Sequence, residues 1–104
     1  MRRGTTPQVS LVVYGHDLTG CTIYATIRQG NNIITKTGNA LTVEVVGNDT
    51  DVVFGLTQQD TLGLKNGRAS AQIRWINSDG VALATDISDI QIDGILLEGE
   101  ISYE

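Results

Sequence analysis

The side chains best suited to nucleophilic chemistry are gathered near the start of the chain: His16, Asp17 and Cys21. A thiolate that attacks a carbonyl needs a base to take its proton and an acid to orient that base, and these three types supply the set. Their placement argues against it. Cys21 opens the run Cys21-Thr22-Ile23-Tyr24-Ala25-Thr26-Ile27 and shares the two-residue period of Ile23, Ala25 and Ile27. That phase turns the thiol inward, where a free cysteine behaves as a small hydrophobe. His16 stands in Gly15-His16-Asp17, a polar break ahead of the strand. The base is therefore expected outside and the thiol inside. With one cysteine, no intrachain disulfide can form.

Other chemistry is equally thin. Asn48-Asp49-Thr50-Asp51 and the acidic run from Asp86 through Asp89 to Asp93 offer oxygen ligands. Neither carries the full alternating set and terminal bidentate glutamate of a calcium loop. Acids in such places also serve as charges that discourage edge-to-edge strand pairing. Gly15, Gly20, Gly30 and Gly38 are isolated turn glycines, unlike a phosphate-cradling loop that opens a helix. Tyr14, Tyr24 and Tyr103 are dispersed, and Trp75 sits in the apolar phase of a strand, so a sugar-binding aromatic platform is not evident. No catalytic residue, cofactor, metal or small-molecule substrate is expected.

Composition narrows the partners. The net charge is −5, and the seven Lys and Arg residues are scattered along the chain. Nucleic-acid binders need a basic stripe to displace counterions from phosphates, so nucleic acid is not an expected partner. The same acidity disfavours anionic membranes, and no run is long and apolar enough to span a bilayer. Met1-Arg2-Arg3 is followed by Gly4-Thr5-Thr6-Pro7-Gln8 instead of an apolar stretch, so no secretion signal is expected. A chain of 104 residues with 40% hydrophobic and 18% charged residues has the composition of one globular domain.

The elements that must position all of this follow a period of two. Val9, Leu11 and Val13 share one face across 8–14, and Cys21 to Gln29 forms a second strand. Gly30-Asn31 or Asn31-Asn32 predicts a tight hairpin into 33–37. Leu41, Val43 and Val45 alternate next, then Val52, Phe54 and Leu56. In Thr57-Gln58-Gln59-Asp60 a hydroxyl precedes a carboxylate by three positions, the pattern of a capping box. One helical turn near 57–62 is expected to carry the chain from one sheet to the other.

Residues 68–76 alternate Ala69, Ala71, Ile73 and Trp75 against Arg68, Ser70, Gln72 and Arg74. Asp79-Gly80 predicts a hairpin, and Val81, Leu83 and Ile87 are in phase on the return. The phase then flips to Ile90 and Ile92, which predicts a bulge or bend at Ser88-Asp89 that returns both sets to the core. Ile95, Leu96, Leu97 and Ile101 would end the chain in a short strand or an adhesive tail. Seven or eight short strands with turns at this spacing predict an all-β, Ig-like antiparallel β-sandwich over residues 8–104, Ig-like in architecture only because the Cys…Trp…Cys signature is missing.

Residues 1–7 are too hydrophilic for a core and are expected to form a flexible arm. Arg2, Arg3, Gly4, Thr5, Thr6 and Pro7 are then candidate contacts, with the two arginines meeting a partner's carboxylates. The acidic end, with Glu98, Glu100, Tyr103 and Glu104, is the complementary candidate. Deleting the arm would weaken assembly and leave melting almost unchanged.

Four stretches carry a resemblance: residues 1–7, Leu56-Thr57-Gln58-Gln59-Asp60-Thr61-Leu62, the motifs Gln72-Ile73-Arg74-Trp75 and Ala84-Thr85-Asp86-Ile87, and Asp17-Leu18-Thr19-Gly20-Cys21-Thr22-Ile23. Together they resemble small proteins encoded in phages and prophages of Firmicutes. The last is similar to the strand opening of phage baseplate upper-protein N-terminal domains, with Cys21 where alanine is common. The resemblance implies a virion-associated structural protein of the tail, baseplate, neck or capsid surface. It would be made in the host cytoplasm and would bind other virion proteins and further copies of itself. A host-surface or glycan-binding sandwich module is the alternative.

Overall fold

The computed structural model describes residues 1–103. Glu104, one of the expected contact residues, lies outside them.

Among the described residues, two-residue periodicity becomes eight strands in two antiparallel sheets. The smaller sheet has the order β1-β5-β4, formed by β1 (Gln8–Val13), β5 (Asp49–Gly55) and β4 (Leu41–Val46). The larger holds β3 (Asn32–Thr37), β2 (Thr22–Gln29) and β6 (Gly67–Ile76), and β6 pairs along its far edge with both β7 (Ala82–Ala84) and β8 (Ser88–Ile92). The fold is an all-β sandwich, Ig-like in its layers but not in its strand order. In immunoglobulin domains the second and third strands lie in opposite sheets, whereas here β2 and β3 form one hairpin.

Turn chemistry is local. The β2–β3 hairpin closes Gln29 against Asn32 through Gly30-Asn31, and Gly30 alone takes positive φ, at 59°. That is the two-residue turn with glycine first, whose twist matches the flanking strands. The β4–β5 hairpin repeats it through Gly47-Asn48.

The inner faces interlock by size. Across β2 and β6, Ile23 stands opposite Trp75, Ala25 opposite Ile73, and Ile27 opposite Ala71, all buried. Two of the three pairs set an isoleucine against an alanine, and Val13, Val52 and Phe54 of the other sheet complete the same close-packed cluster. Each large side chain fully removed from water contributes roughly 1.5–3 kcal/mol. Thr50, fully buried in the same layer, donates its hydroxyl to the His16 carbonyl at 2.8 Å and accepts the Leu18 N–H at 3.1 Å. The loop before β2 is thus fastened from inside.

The helical turn α1 (Gln58–Leu62) joins the sheets. Thr57 accepts the Asp60 N–H at 3.0 Å while the Asp60 carboxylate accepts the Thr57 N–H at 2.9 Å, which is the reciprocal cap the spacing predicts.

Two expectations are corrected and one alternative is decided. The bulge falls at residues 85–87, ahead of Ser88-Asp89. Between the pairs Arg74–Ala84 and Ala71–Ser88, β6 contributes two residues and the returning strand three. The Thr85 hydroxyl fills the gap by accepting the Ile73 N–H at 3.1 Å. Ile92 enters the core, while Val81, Leu83 and Ile87 are exposed; Leu83 lies in β7 at the border of the larger sheet, and Val81 and Ile87 lie outside both strands. Of the two expected endings, a short strand or a tail, residues 94–103 take the tail: they form no strand, and Leu96, Leu97, Ile101 and Tyr103 are exposed.

Candidate functional site

The nucleophile, base and acid of the sequence are put to other uses. The Asp17 carboxylate accepts the Thr19 hydroxyl at 2.6 Å and the Thr19 N–H at 2.9 Å, and these bonds hold it below the usual aspartate value. The His16 ring leans on Trp75, with centroids 5.1 Å apart. Cys21 is half-buried against the core, a correction to the fully inward thiol, and lines a separate depression with Ile23, Gly38, Leu41 and Val43. His16 opens instead onto a groove of about 360 Å³ with Tyr14, Trp75 and Asp86. Among the described residues, no group of three or more His, Cys, Asp or Glu side chains could hold a metal ion. No helix among them is long and apolar enough to cross a membrane.

The N-terminal residues are placed quite differently from a free arm. The Arg3 N–H donates to the Asp93 carbonyl at 2.9 Å, and the Asp93 N–H to the Met1 carbonyl at 2.7 Å, a parallel bridge beside β8. Arg3 sends its guanidinium back over the end of α1. It donates to the carbonyls of Leu62 at 2.9 Å and Leu64 at 2.5 Å, and reaches Glu98 at 2.8 Å. A helix ends with unpaired carbonyls and partial negative charge, so an arginine there is doubly favourable.

The neighbouring residues continue this docking. Arg2 donates to the Gly94 carbonyl at 2.5 Å. Gly4 packs under Ile95 and Leu62, and the buried Thr61 hydroxyl donates to the Thr5 carbonyl at 2.9 Å. Pro7 accepts from the Leu56 N–H at 3.0 Å, and Thr6 is exposed. The polarity that suggested an arm is the polarity of a segment fixed by backbone and guanidinium hydrogen bonds.

At the other end, Glu98 is drawn to Arg3, and Ile101 is held by a double hydrogen bond to the Gln58 side chain. Glu100 and Tyr103 are exposed. The two candidate contact segments therefore meet each other within one chain.

The sequence matches no protein-family model and no curated protein.

What sequence reasoning missed lies on β4. Val43 and Val45 occupy the core-facing phase, as their pairing with buried Val52 and Thr50 shows, yet they remain 41% and 38% exposed. β4 is the outer strand of the narrower sheet, and of its side chains only Leu41 packs against the buried cluster. The alternation of Val43 and Val45 reads like that of any buried strand, so sequence carried no signal of their exposure.

Proposed function

We propose that the chain is a non-catalytic structural component of a phage particle, present in many copies and acting through contacts with other virion proteins and further copies of itself. The observation that carries this reading is where the exposed apolar side chains sit. Val43, Val45 and Val46 follow the free edge of β4, Val81 precedes β7 and Leu83 lies within it, and Leu96, Leu97 and Ile101 lie along the tail. Clusters of exposed apolar side chains mark contact faces. A free strand edge adds unpaired N–H and C=O groups that another chain can continue.

The resemblance of four sequence stretches to small phage proteins supports the particle as the setting. In a symmetric particle one weak contact recurs many times, and multiplicity replaces a large single interface. With Arg3 and Gly4 occupied within the chain, the strand edges and the exposed Glu100 and Tyr103 become the leading contact groups. Quantitative mass spectrometry of purified particles is expected to find the chain in stoichiometric amounts; its absence from them overturns the reading.

The glycan-binding alternative has one observation in its favour. Tyr14 is 75% exposed and lines the His16–Trp75 groove beside Asp86 and Ser88, a pairing of aromatic surface with polar groups that suits a sugar ring. Binding on a glycan array that disappears in Tyr14→Ala would move the assignment to this reading.

A further inference from the structure

We propose that β4 pairs antiparallel with β4 of a second copy of the chain, about a two-fold axis that sets Val43 opposite Val43. This rests on the contact reading above and names the partner for one of its edges. The starting point is a strand whose core-facing valines, Val43 and Val45, stay 41% and 38% exposed. Nothing on its free side blunts it: residues 41–46 contain no proline, no lysine and one charge, Glu44. Natural edges usually carry such protection.

The strand's own sequence selects the partner and the register. A two-fold perpendicular to the sheet pairs residues that point to the same side, so residues opposite each other differ by an even number. Two registers pair five of the six residues. One centres on Glu44 and sets carboxylate against carboxylate. Glu44 already faces Asp51 across β5, so that register lines up four acids in one row, Asp51 and Glu44 from each copy. Like charges directly opposite destabilise a sheet.

The other register centres on Val43. It sets Leu41 against Val45 and Thr42 against Glu44, where the threonine hydroxyl can donate to the carboxylate. On the inner face, Leu11, Val52 and Val43 already form one row across β1, β5 and β4. The pairing continues that row into its mirror in the second copy, giving a six-stranded sheet with an unbroken apolar stripe. The two-fold closes the contact, so it makes a pair without propagating. A strand-edge contact lies at the small end of specific interfaces. The pair is therefore weak in dilute solution and strengthened wherever copies are held side by side.

Sedimentation of the unmodified chain over a concentration series is expected to move from 11.2 kDa toward twice that mass. Val43→Lys should remain at the mass of one chain with an unchanged circular dichroism spectrum. In a Cys21→Ser background, which removes the neighbouring thiol, mild oxidation should crosslink Val43→Cys readily and Glu44→Cys poorly. A single-chain mass persisting to millimolar concentration overturns the proposal, as does preferential crosslinking through position 44. Either result leaves the particle reading standing, while absence of the chain from particles would leave the pair standing.

Discussion

Arg3 and Glu98 form an ion pair at 2.8 Å although they are separated by 95 positions, and the arginine side of the pair also caps the end of α1. The two partners are unequal. The Arg3 side chain is 18% exposed and the Glu98 side chain 63%. The guanidinium is a fixed donor inside a set of carbonyls, and the carboxylate is a solvated outer partner.

Arg3→Ala is accordingly expected to cost about 1.5–3 kcal/mol, the range for hydrogen bonds from a charged donor. Glu98→Ala should cost less than about 1 kcal/mol, as exposed ion pairs do. Arg3→Lys should recover only part of the loss, because an ammonium cannot span several acceptors as the planar fork does. Urea denaturation of the three variants measures the order. Equal costs for Arg3→Ala and Glu98→Ala would contradict the helix-end role.

Removal of residues 1–7 should lower the melting temperature, reversing the expectation drawn from their polarity. The deletion strips hydrogen bonds from Asp93, Leu56 and the buried Thr61 hydroxyl. An unchanged thermal midpoint would mean the segment is not docked.

Gly4→Ala probes the same docking with one methyl group. Gly4 has φ of +72°, and an added Cβ would lie 2.8 Å from Ile95 Cδ1. The left-handed conformation alone costs roughly 1–2 kcal/mol for an L residue. Gly15→Ala meets no nearby atom at a similar φ and serves as the control, so a larger loss for Gly4 isolates the packing.

Thr50→Val keeps the shape and removes the hydroxyl that serves Leu18 and His16. It leaves a buried N–H without its acceptor, a loss of about 1–3 kcal/mol. Hydrogen exchange should show the Leu18 amide losing protection before the strand amides do.

The Lys36–Asp60 pair, at 2.9 Å, makes stability depend on acid. Burial pushes the Asp60 carboxyl up, but the hydrogen bond from Lys36 and the cap from the Thr57 N–H outweigh it and hold the group below its ordinary value. A lowered folded-state value means the contribution is complete above the ordinary aspartate value of about 3.9 and is lost as pH falls through the lowered one. The stability gap between the unmodified chain and Asp60→Asn should therefore be constant near neutrality and close on acidification below that value. A gap that widens in acid would contradict the assignment.

The sequence by itself determined the strands, the tight hairpins and the capped turn. Each rests on interactions within a few residues: alternation decides which side a residue takes, Gly30 supplies the positive φ, and Thr57 and Asp60 cap each other. Only the tertiary structure decided where Arg3 goes, since its acceptors at Leu62 and Leu64 and its partner Glu98 come from distant parts of the chain. It also decided that the phase change is absorbed at 85–87, because the bulge is a mismatch in length between two paired strands and belongs to neither alone. The same holds for Val43 and Val45, whose phase is local but whose burial depends on how far the opposite sheet extends beneath them. Periodicity says which way a side chain points, and only the packed layers say whether anything is there to cover it.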